Sequence, residues 1–195
     1  MKIKTNLKLL CVCFALILSL ALTSCGGAKD TLVGGTDEIL KQIVDGANAA
    51  IPEGSGVGMT FDEAVAAENC QGMLGLSSDE FAQYVEDAYA STAALMTFAH
   101  EAALVKCKNI ADAAKVKELM INGFNSGRWV CVMPDKTYVI ESGSYVFLVA
   151  SKTVVADAFV ESFKSAAQGN TGTAVLAFDF SNYEEADGGG GLNLG

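Results

Sequence analysis

The sequence predicts one domain of the α+β class. The first observation is that amphipathic segments, with apolar residues three and four positions apart, alternate with short apolar runs typical of strands. The second is that 195 residues suffice for one hydrophobic core with tails. The third is that no apolar run after the amino-terminal segment approaches the ~20 residues of a membrane span.

Helices are predicted in the first half of the domain. Thr36 is a favourable N-cap, and the apolar residues that follow it at helical spacing form a stripe that ends at the turn formers of residues 52–58. Two capping boxes, each a serine or threonine with a glutamate three positions later, predict two more helices. They are Thr60 with Glu63 and Ser77 with Glu80. The latter helix is expected to reach Tyr89, because its apolar residues keep helical spacing.

An antiparallel sheet is predicted in the second half. The expected strands are residues 93–98, 102–108, 137–141, 145–150 and 173–180, and the expected helices begin at Asn109 and Thr153. Gly143 can supply the positive φ of a tight hairpin, and the continuously apolar fourth strand is typical of one covered on both faces. The order strand, helix, strand, strand, helix, strand predicts a ferredoxin-like split β-α-β fold behind a helical amino-terminal segment.

Residues 1–24 have the pattern of a bacterial lipoprotein signal peptide. Three lysines precede an apolar stretch, residues 9–22, that is shorter than a membrane span. The stretch ends in a run that resembles the lipobox: Leu22, Thr23, Ser24 and Cys25. We expect diacylglycerol on the Cys25 thiol, because two acyl chains anchor a protein stably whereas one holds it marginally. The membrane is then the first partner, and the outer face of the bacterial cytoplasmic membrane is the expected location.

Three further parts are predicted after the signal peptide. Residues 25–35 are rich in glycine and are expected to form a flexible lipidated tether. Residues 36–180 are expected to form the domain. Residues 181–195 are acidic and then glycine-rich, which predicts a disordered tail.

The charge of the chain argues against nucleic-acid binding. The formal net charge is −10, and phosphate contacts require clustered lysine and arginine. One local group of basic residues surrounds a predicted strand and the helix after it: Lys106, Lys108, Lys115, Lys117 and Arg128. The group is either an ordinary solvated helix face or a docking patch for an acidic wall polymer or partner.

The six cysteines do not predict a disulfide framework. Two leave with the signal peptide and Cys25 is the lipid site, so that Cys70, Cys107 and Cys131 remain. An odd number cannot pair completely, and the spacing lacks the CxxC signature of redox and zinc motifs. Burial as small hydrophobic residues is expected, with one disulfide and a spare thiol as the alternative.

Few residues have catalytic potential, and no catalytic residue, metal site or cofactor is predicted. His100 is the sole histidine, and with Glu101 and either Cys107 or Cys131 it could form a Cys-His hydrolase centre. No nucleophile motif flanks the cysteines, however, and His100 is expected at a bend between two strands. The methionines after Met1 are dispersed, as in core packing, rather than clustered for a soft metal.

Residues 95–149 resemble a family of small lipoproteins of Gram-positive anaerobes, those with domain of unknown function 4358. The resemblance rests on LMTFAHEAALVKCKN, DAAKVKELM and ESGSYVFLVAS in this order. It implies a lipid-anchored extracytoplasmic domain and carries no activity, ligand or catalytic residue. Residues 124–134, which include Trp129 and Cys131, depart from the family pattern.

The sequence therefore predicts an envelope lipoprotein that binds an envelope protein or a cell-wall component, and an enzyme is not expected. The reason is that paired carboxylates, metal-ligand clusters and nucleophile motifs do not occur at diagnostic spacing. Two alternatives remain open. They are a Cys/His-dependent envelope enzyme and a small-solute binding lipoprotein.

Overall fold

The computed structural model describes residues 29–95 and 97–181. The predicted signal peptide, the lipobox with Cys25, the first residues of the predicted tether and the tail from residue 182 lie outside these ranges. Within the described ranges, no helix is long and apolar enough to cross a membrane.

Six strands and five α-helices are found in the described part of the chain. The strands are β1 (Thr60–Ala64), β2 (Val85–Ala93), β3 (Glu101–Cys107), β4 (Lys136–Ser142), β5 (Tyr145–Ser151) and β6 (Val175–Asp179). The helices are α1 (Thr36–Ala50), α2 (Cys70–Leu74), α3 (Ser78–Tyr84), α4 (Ala113–Gly123) and α5 (Thr153–Ala166). A single 3₁₀ turn, Ile110–Asp112, precedes α4.

The strands form one antiparallel sheet in the order β1-β2-β3-β5-β4-β6, with helices on both faces. Helices α1 and α5 cover one face, whose core includes Leu104 and Phe147. Helices α2 and α4 cover the other face, whose core includes Val105 and Leu148. Neighbouring residues of a strand point to opposite faces, and β5 is buried along its whole length. The α+β class and the doubly covered strand are therefore confirmed.

Several individual elements are also confirmed. Helix α1 begins at Thr36, although Gly35 is its N-cap, and the Thr36 hydroxyl donates to the Asp87 carboxylate at 2.5 Å. The capping box of Ser77 opens α3. Gly143 has φ of 57° in the tight turn between β4 and β5, so it adopts the left-handed conformation predicted for that turn.

Two helices of the first half were predicted wrongly. Residues 60–64 form the edge strand β1 rather than a helix, because they pair with β2 along their whole length. Helix α3 ends at Tyr84, and the residues expected to continue it form β2. A β-bulge between Val85 and Asp87 shifts the alternation of β2, so that buried Val85 and Ala88 stand three residues apart as in a helix. The strand predicted at residues 93–98 is not found: Ala93 is the last residue of β2, and residues 94, 95, 97 and 98 lie in the connection to β3.

The ferredoxin-like topology is not confirmed. Strands β3 and β4 flank β5, as in a split β-α-β unit. Strand β6, however, lies beside β4 at the sheet edge, and β2 occupies the position next to β3. Helices α4 and α5 also pack on opposite faces of the sheet. The coarser description, an antiparallel sheet with packed helices, is the one that holds.

Part of the predicted tether belongs to the domain. Leu32 is buried in the core beside α1 and α5, and the Thr31 hydroxyl donates to the Ala167 carbonyl at 2.9 Å. The Asp30 carboxylate accepts hydrogen bonds from the Ser144 N–H at 2.6 Å and from its hydroxyl at 2.9 Å. In the structure, residues 30–32 of the predicted tether are therefore attached to the domain, whereas Val33 is exposed.

Candidate binding surface

His100 and Glu101 are adjacent in sequence but contact opposite faces of the sheet. The His100 ring packs edge-on against Phe159 of α5, with 5.1 Å between ring centroids, and its Nδ1 lies 3.1 Å from the Ser151 hydroxyl oxygen. Glu101 pairs with Arg128, which follows α4 on the other face. Both residues are fully buried. The two side chains therefore do not share a site.

Burial also keeps the His100 ring neutral. It lowers the pKa of His100 to about 3, and Nε2 has no hydrogen-bond partner among the described residues. The position between β2 and β3 agrees with the bend that the sequence predicted. The surroundings of His100 are therefore those of a histidine that packs in a hydrophobic core.

The three described cysteines are free, and none is a hydrogen-bond partner of His100. Cys107 lies at the far end of β3 on the Glu101 face, and burial raises its pKa to about 12. The Cys70 thiol donates to the Leu76 carbonyl at 3.1 Å, and burial raises its pKa too. Cys131 is exposed. The predicted burial is confirmed for Cys70 and Cys107 and wrong for Cys131.

A buried ion pair joins Glu101 at the start of β3 to Arg128. The Glu101 carboxylate is fully buried, and Arg128 is its charged partner. The guanidinium stacks over the Trp129 ring at 4.5 Å and lies 5.6 Å from the Phe124 ring centroid, and its Nη1 donates to the Gly72 carbonyl at 2.5 Å. Burial lowers the pKa of Arg128 to about 10, which leaves it charged at neutral pH. Arg128 thus ties β3, α2 and two aromatic rings together.

This ion pair holds the connection from α4 to β4, residues 124–135, which we call the 124–135 loop. A second attachment is the Ser126 hydroxyl, 2.8 Å from the Thr137 hydroxyl on β4, with both residues buried. Beyond these anchors the loop turns apolar side chains outward: Val130 is 88% exposed and Met133 is 40% exposed. The loop is fixed at its base and apolar at its tip.

A cavity of about 530 Å³ lies between the 124–135 loop and the end of β6. Its lining is Gly127, Trp129, Val130, Cys131, Val132, Met133, Asp135, Phe180 and Ser181. This volume is in the range of small-molecule sites. Six of these nine lining residues are aromatic, aliphatic or sulfur-containing, and Asp135 contributes a carboxylate.

The basic group does not form an open patch. Lys106 pairs with Glu86 at 2.9 Å, and Lys115 pairs with Glu118 at 3.2 Å. Lys117 pairs with Glu141 and donates to the Thr173 carbonyl, Lys108 donates to the Ala82 carbonyl, and Arg128 is buried against Glu101. Because each cation already has a local partner, the group favours a solvated surface over a docking patch for an acidic polymer.

Metal-binding groups do not converge in the described ranges. No three His, Cys, Asp or Glu side chains there are placed to hold a metal ion. Met73 and Met120 are buried in the core between the sheet and helices α2 and α4. Met59, just before β1, and Met133, in the 124–135 loop, are exposed. The expectation that methionines fill the core is confirmed for the first two.

The sequence predicts no role for Trp129, and it offers Cys131 only as a candidate thiol of a Cys-His centre. The signal that could have found the surface is the run of Trp, Val, Cys, Val and Met at residues 129–133, which is unusually apolar for a connection between a helix and a strand. The Glu101 partner of Arg128 had no signal, because the two are far apart in sequence and meet only through the order of the strands.

No family model, no curated protein and no solved structure matches this chain. The resemblance to the small lipoprotein family therefore stays a prediction.

Proposed function

We propose that this chain is a lipid-anchored extracytoplasmic protein whose domain binds another envelope protein through the 124–135 loop. The single observation that carries the proposal is an exposed apolar loop tip held from beneath by the buried Glu101–Arg128 ion pair. The lipobox-like run before Cys25 supports the location.

The composition of the loop supports a protein partner. Tryptophan, methionine and arginine are enriched at the centres of protein interfaces, and Trp129, Met133 and Arg128 meet in this one loop. A loop that is already ordered loses less conformational entropy on binding. Removing one partner from a buried ion pair costs about 3–5 kcal/mol, because the other charge is then left buried and unpaired.

The lipid anchor is tested by Cys25→Ala in the full chain. We expect the variant to leave the membrane fraction and appear in the medium or a mislocalised precursor pool, because the acyl chains supply the attachment. Cell fractionation with Cys131→Ser as the matched cysteine control gives the measurement. Unchanged membrane retention of Cys25→Ala would refute the anchor.

The binding surface is tested by site-specific photo-crosslinking in intact cells. A photoreactive residue in place of Val130 is expected to give a discrete crosslinked protein, and one in place of the exposed Val154 on α5 is expected not to give it. Met133→Asp should abolish the crosslink from position 130. Equal crosslinking from both positions would contradict the assignment of the loop. Crosslinks to wall glycan alone would make the partner a wall component instead.

A second candidate, a small-solute binding lipoprotein, is favoured by the cavity of about 530 Å³ beside Trp129. Trp129 is the sole tryptophan of the chain, so its emission reports on this cavity directly. A saturable change of emission with a defined apolar solute, lost in Met133→Asp, would support this candidate. Emission that stays unchanged across a panel of such solutes would count against it.

A further inference from the structure

The outer edge of β1 presents backbone groups that face away from the sheet. The Val65 N–H donates to the Ala88 carbonyl at 2.9 Å, which fixes which residues bond to β2. Bonded positions alternate in an antiparallel pair, so Thr60, Asp62 and Ala64 direct their N–H and C=O groups outward. Strand β1 is the terminal strand of the described sheet.

This edge lacks some of the devices that block strand pairing, although β1 is short and carries Asp62 and Glu63. Strand β1 contains no proline, lysine or bulge, and its residues are exposed apart from the half-buried Thr60. Among the described residues, the Tyr89 hydroxyl is the one group that bonds an outward backbone atom, the Asp62 carbonyl, at 3.4 Å. Within residues 29–95 and 97–181, the remaining outward donors and acceptors of β1 have no partner and can bond to another strand.

Large apolar side chains lie at one end of this edge. Met59, Phe61 and Leu95 are exposed by 68%, 62% and 61%, respectively. They are close together because the Ala94 N–H donates to the Met59 carbonyl at 2.9 Å, which brings Leu95 beside the start of β1. The patch flanks the open backbone groups, as in sites that receive an added strand.

The negative charge of β1 favours a basic segment as the added strand. Asp62 and Glu63 make no ion pair with a described lysine or arginine; Asp62 accepts a hydrogen bond from the Thr60 hydroxyl at 3.1 Å, which leaves its charge in place. Because only Thr60, Asp62 and Ala64 offer outward groups, two copies of β1 paired about their centres would set Asp62 directly opposite Asp62 of the other copy. Like charges directly opposite destabilise strand pairs, so self-association in this centred register is disfavoured.

We propose that β1 receives an extended segment of a different protein as an added antiparallel strand, with lysine or arginine opposite Asp62 on one face and an apolar side chain against Phe61 on the other. Main-chain hydrogen bonds to Thr60, Asp62 and Ala64 supply affinity, and the Asp62 carboxylate supplies selectivity for a basic segment. The proposal concerns a different surface from the 124–135 loop and stands without it.

The test uses the ¹⁵N-labelled full chain and a capped octapeptide of alternating lysine and valine. We expect saturable one-to-one binding that slows hydrogen exchange of the Thr60, Asp62 and Ala64 amides. Raising NaCl from ~50 to ~500 mM should weaken binding about tenfold, because the contacts are exposed charges. A matched peptide with glutamate in place of lysine should not bind.

Backbone pairing is separated from simple charge attraction by two further reagents. Asp62→Pro removes the outward N–H without touching a bond to β2, and it should abolish protection at Thr60 and Ala64, whereas Asp62→Asn should only weaken binding several-fold. A lysine–valine peptide with alternate N-methyl groups should fail on the unaltered chain, which covers the case that Asp62→Pro does not fold. The proposal is overturned if the N-methylated peptide binds equally well, if the protected amides lie elsewhere, or if millimolar peptide protects none.

Discussion

At the scale of single residues, His100 couples folding to pH. Its pKa is lowered from 6.5 to about 3 in the folded chain, so between these values the unfolded chain binds a proton that the folded chain does not. The folded state therefore loses stability as pH falls from about 6.5 towards 3, by up to about 1.4 kcal/mol per pH unit from this residue. Above pH 6.5 the ring is neutral in both states and contributes no pH dependence.

We predict that His100→Asn has a shallower loss of stability in acid than the parent chain. Asparagine keeps a polar group near the Ser151 hydroxyl and cannot take up the proton. Urea unfolding at pH 7, 6, 5 and 4 measures the difference between the two slopes. Parallel curves over this range would show that His100 titrates normally.

We expect one of the three described thiols to be alkylated fast and the other two slowly. Cys131 is exposed and should react with iodoacetamide at the rate of an ordinary free thiol, whereas Cys70 and Cys107 should react at least ~100-fold more slowly, through opening of the structure. Peptide mapping of the native full chain by mass spectrometry gives the rates. Cys131→Ser should remove the fast phase among these three, and fast labelling of Cys107 would contradict the buried arrangement.

The Glu101–Arg128 pair allows a prediction on stability. Arg128→Met should lower the free energy of unfolding by about 3–5 kcal/mol, because a carboxylate is then left buried without a partner. The double variant Glu101→Leu with Arg128→Met should recover much of this loss, since no charge remains to be buried. Trp129 emission in a denaturant titration reports both the unfolding and the release of the loop. A double variant as unstable as the single one would contradict this account.

At the scale of elements, the ends of α2 and α4 meet with no room for side chains. Gly75 follows α2 with φ of 74°, and a Cβ on Gly123, the last residue of α4, would collide with the Gly75 carbonyl. Gly123→Ala should therefore cost about 1–3 kcal/mol. The matched control is Gly72→Ala, where a Cβ meets open space and the change should be neutral or stabilising by up to about 1 kcal/mol. Thermal or urea unfolding compares the two, and equal effects would contradict the close approach.

Elements with strong local signals could be predicted from the sequence. The capping box at Ser77, the Gly143 hairpin and the apolar run of β5 each depend on residues that are neighbours in sequence. Strand β2 could not be predicted, because its bulge gives a buried pattern that imitates a helix. Strand β1 could not be predicted because its exposed residues have no alternation of apolar and polar side chains. Only their pairing with β2 makes them a strand.

The candidate site was less predictable than the fold. Each half of the Glu101–Arg128 pair looks ordinary in sequence, and strand order, which no local pattern specifies, brings the halves together. The hypothetical Cys-His centre does not form because His100 and Glu101 are consecutive residues at the start of a strand, and their side chains point to opposite faces of the sheet. Exposure of the apolar run in the 124–135 loop required the completed packing around it.

At the scale of the whole molecule, the central sheet should make the two cores one cooperative unit. Phe147 lies in one core and Leu148 in the other, on the same strand. Phe147→Ala should cost about 3–5 kcal/mol and Leu148→Ala about 2–5 kcal/mol, and each should shift a single transition. Far-ultraviolet circular dichroism and Trp129 emission should give coincident curves. Two separate transitions in either variant would show that the cores unfold independently.

The hydrogen bonds between Asp30 and Ser144 determine which end of the sheet would lie nearer the membrane in the proposed anchored protein. Three residues separate Cys25 from Lys29, so a lipid on Cys25 would hold the β4–β5 turn within ~20 Å of the bilayer. Glu101 and Ser151 lie at the opposite ends of β3 and β5, another ~20 Å outward at strand spacing. With the proposed lipid on Cys25, the 124–135 loop would therefore lie at the end of the sheet that is farther from the point of attachment.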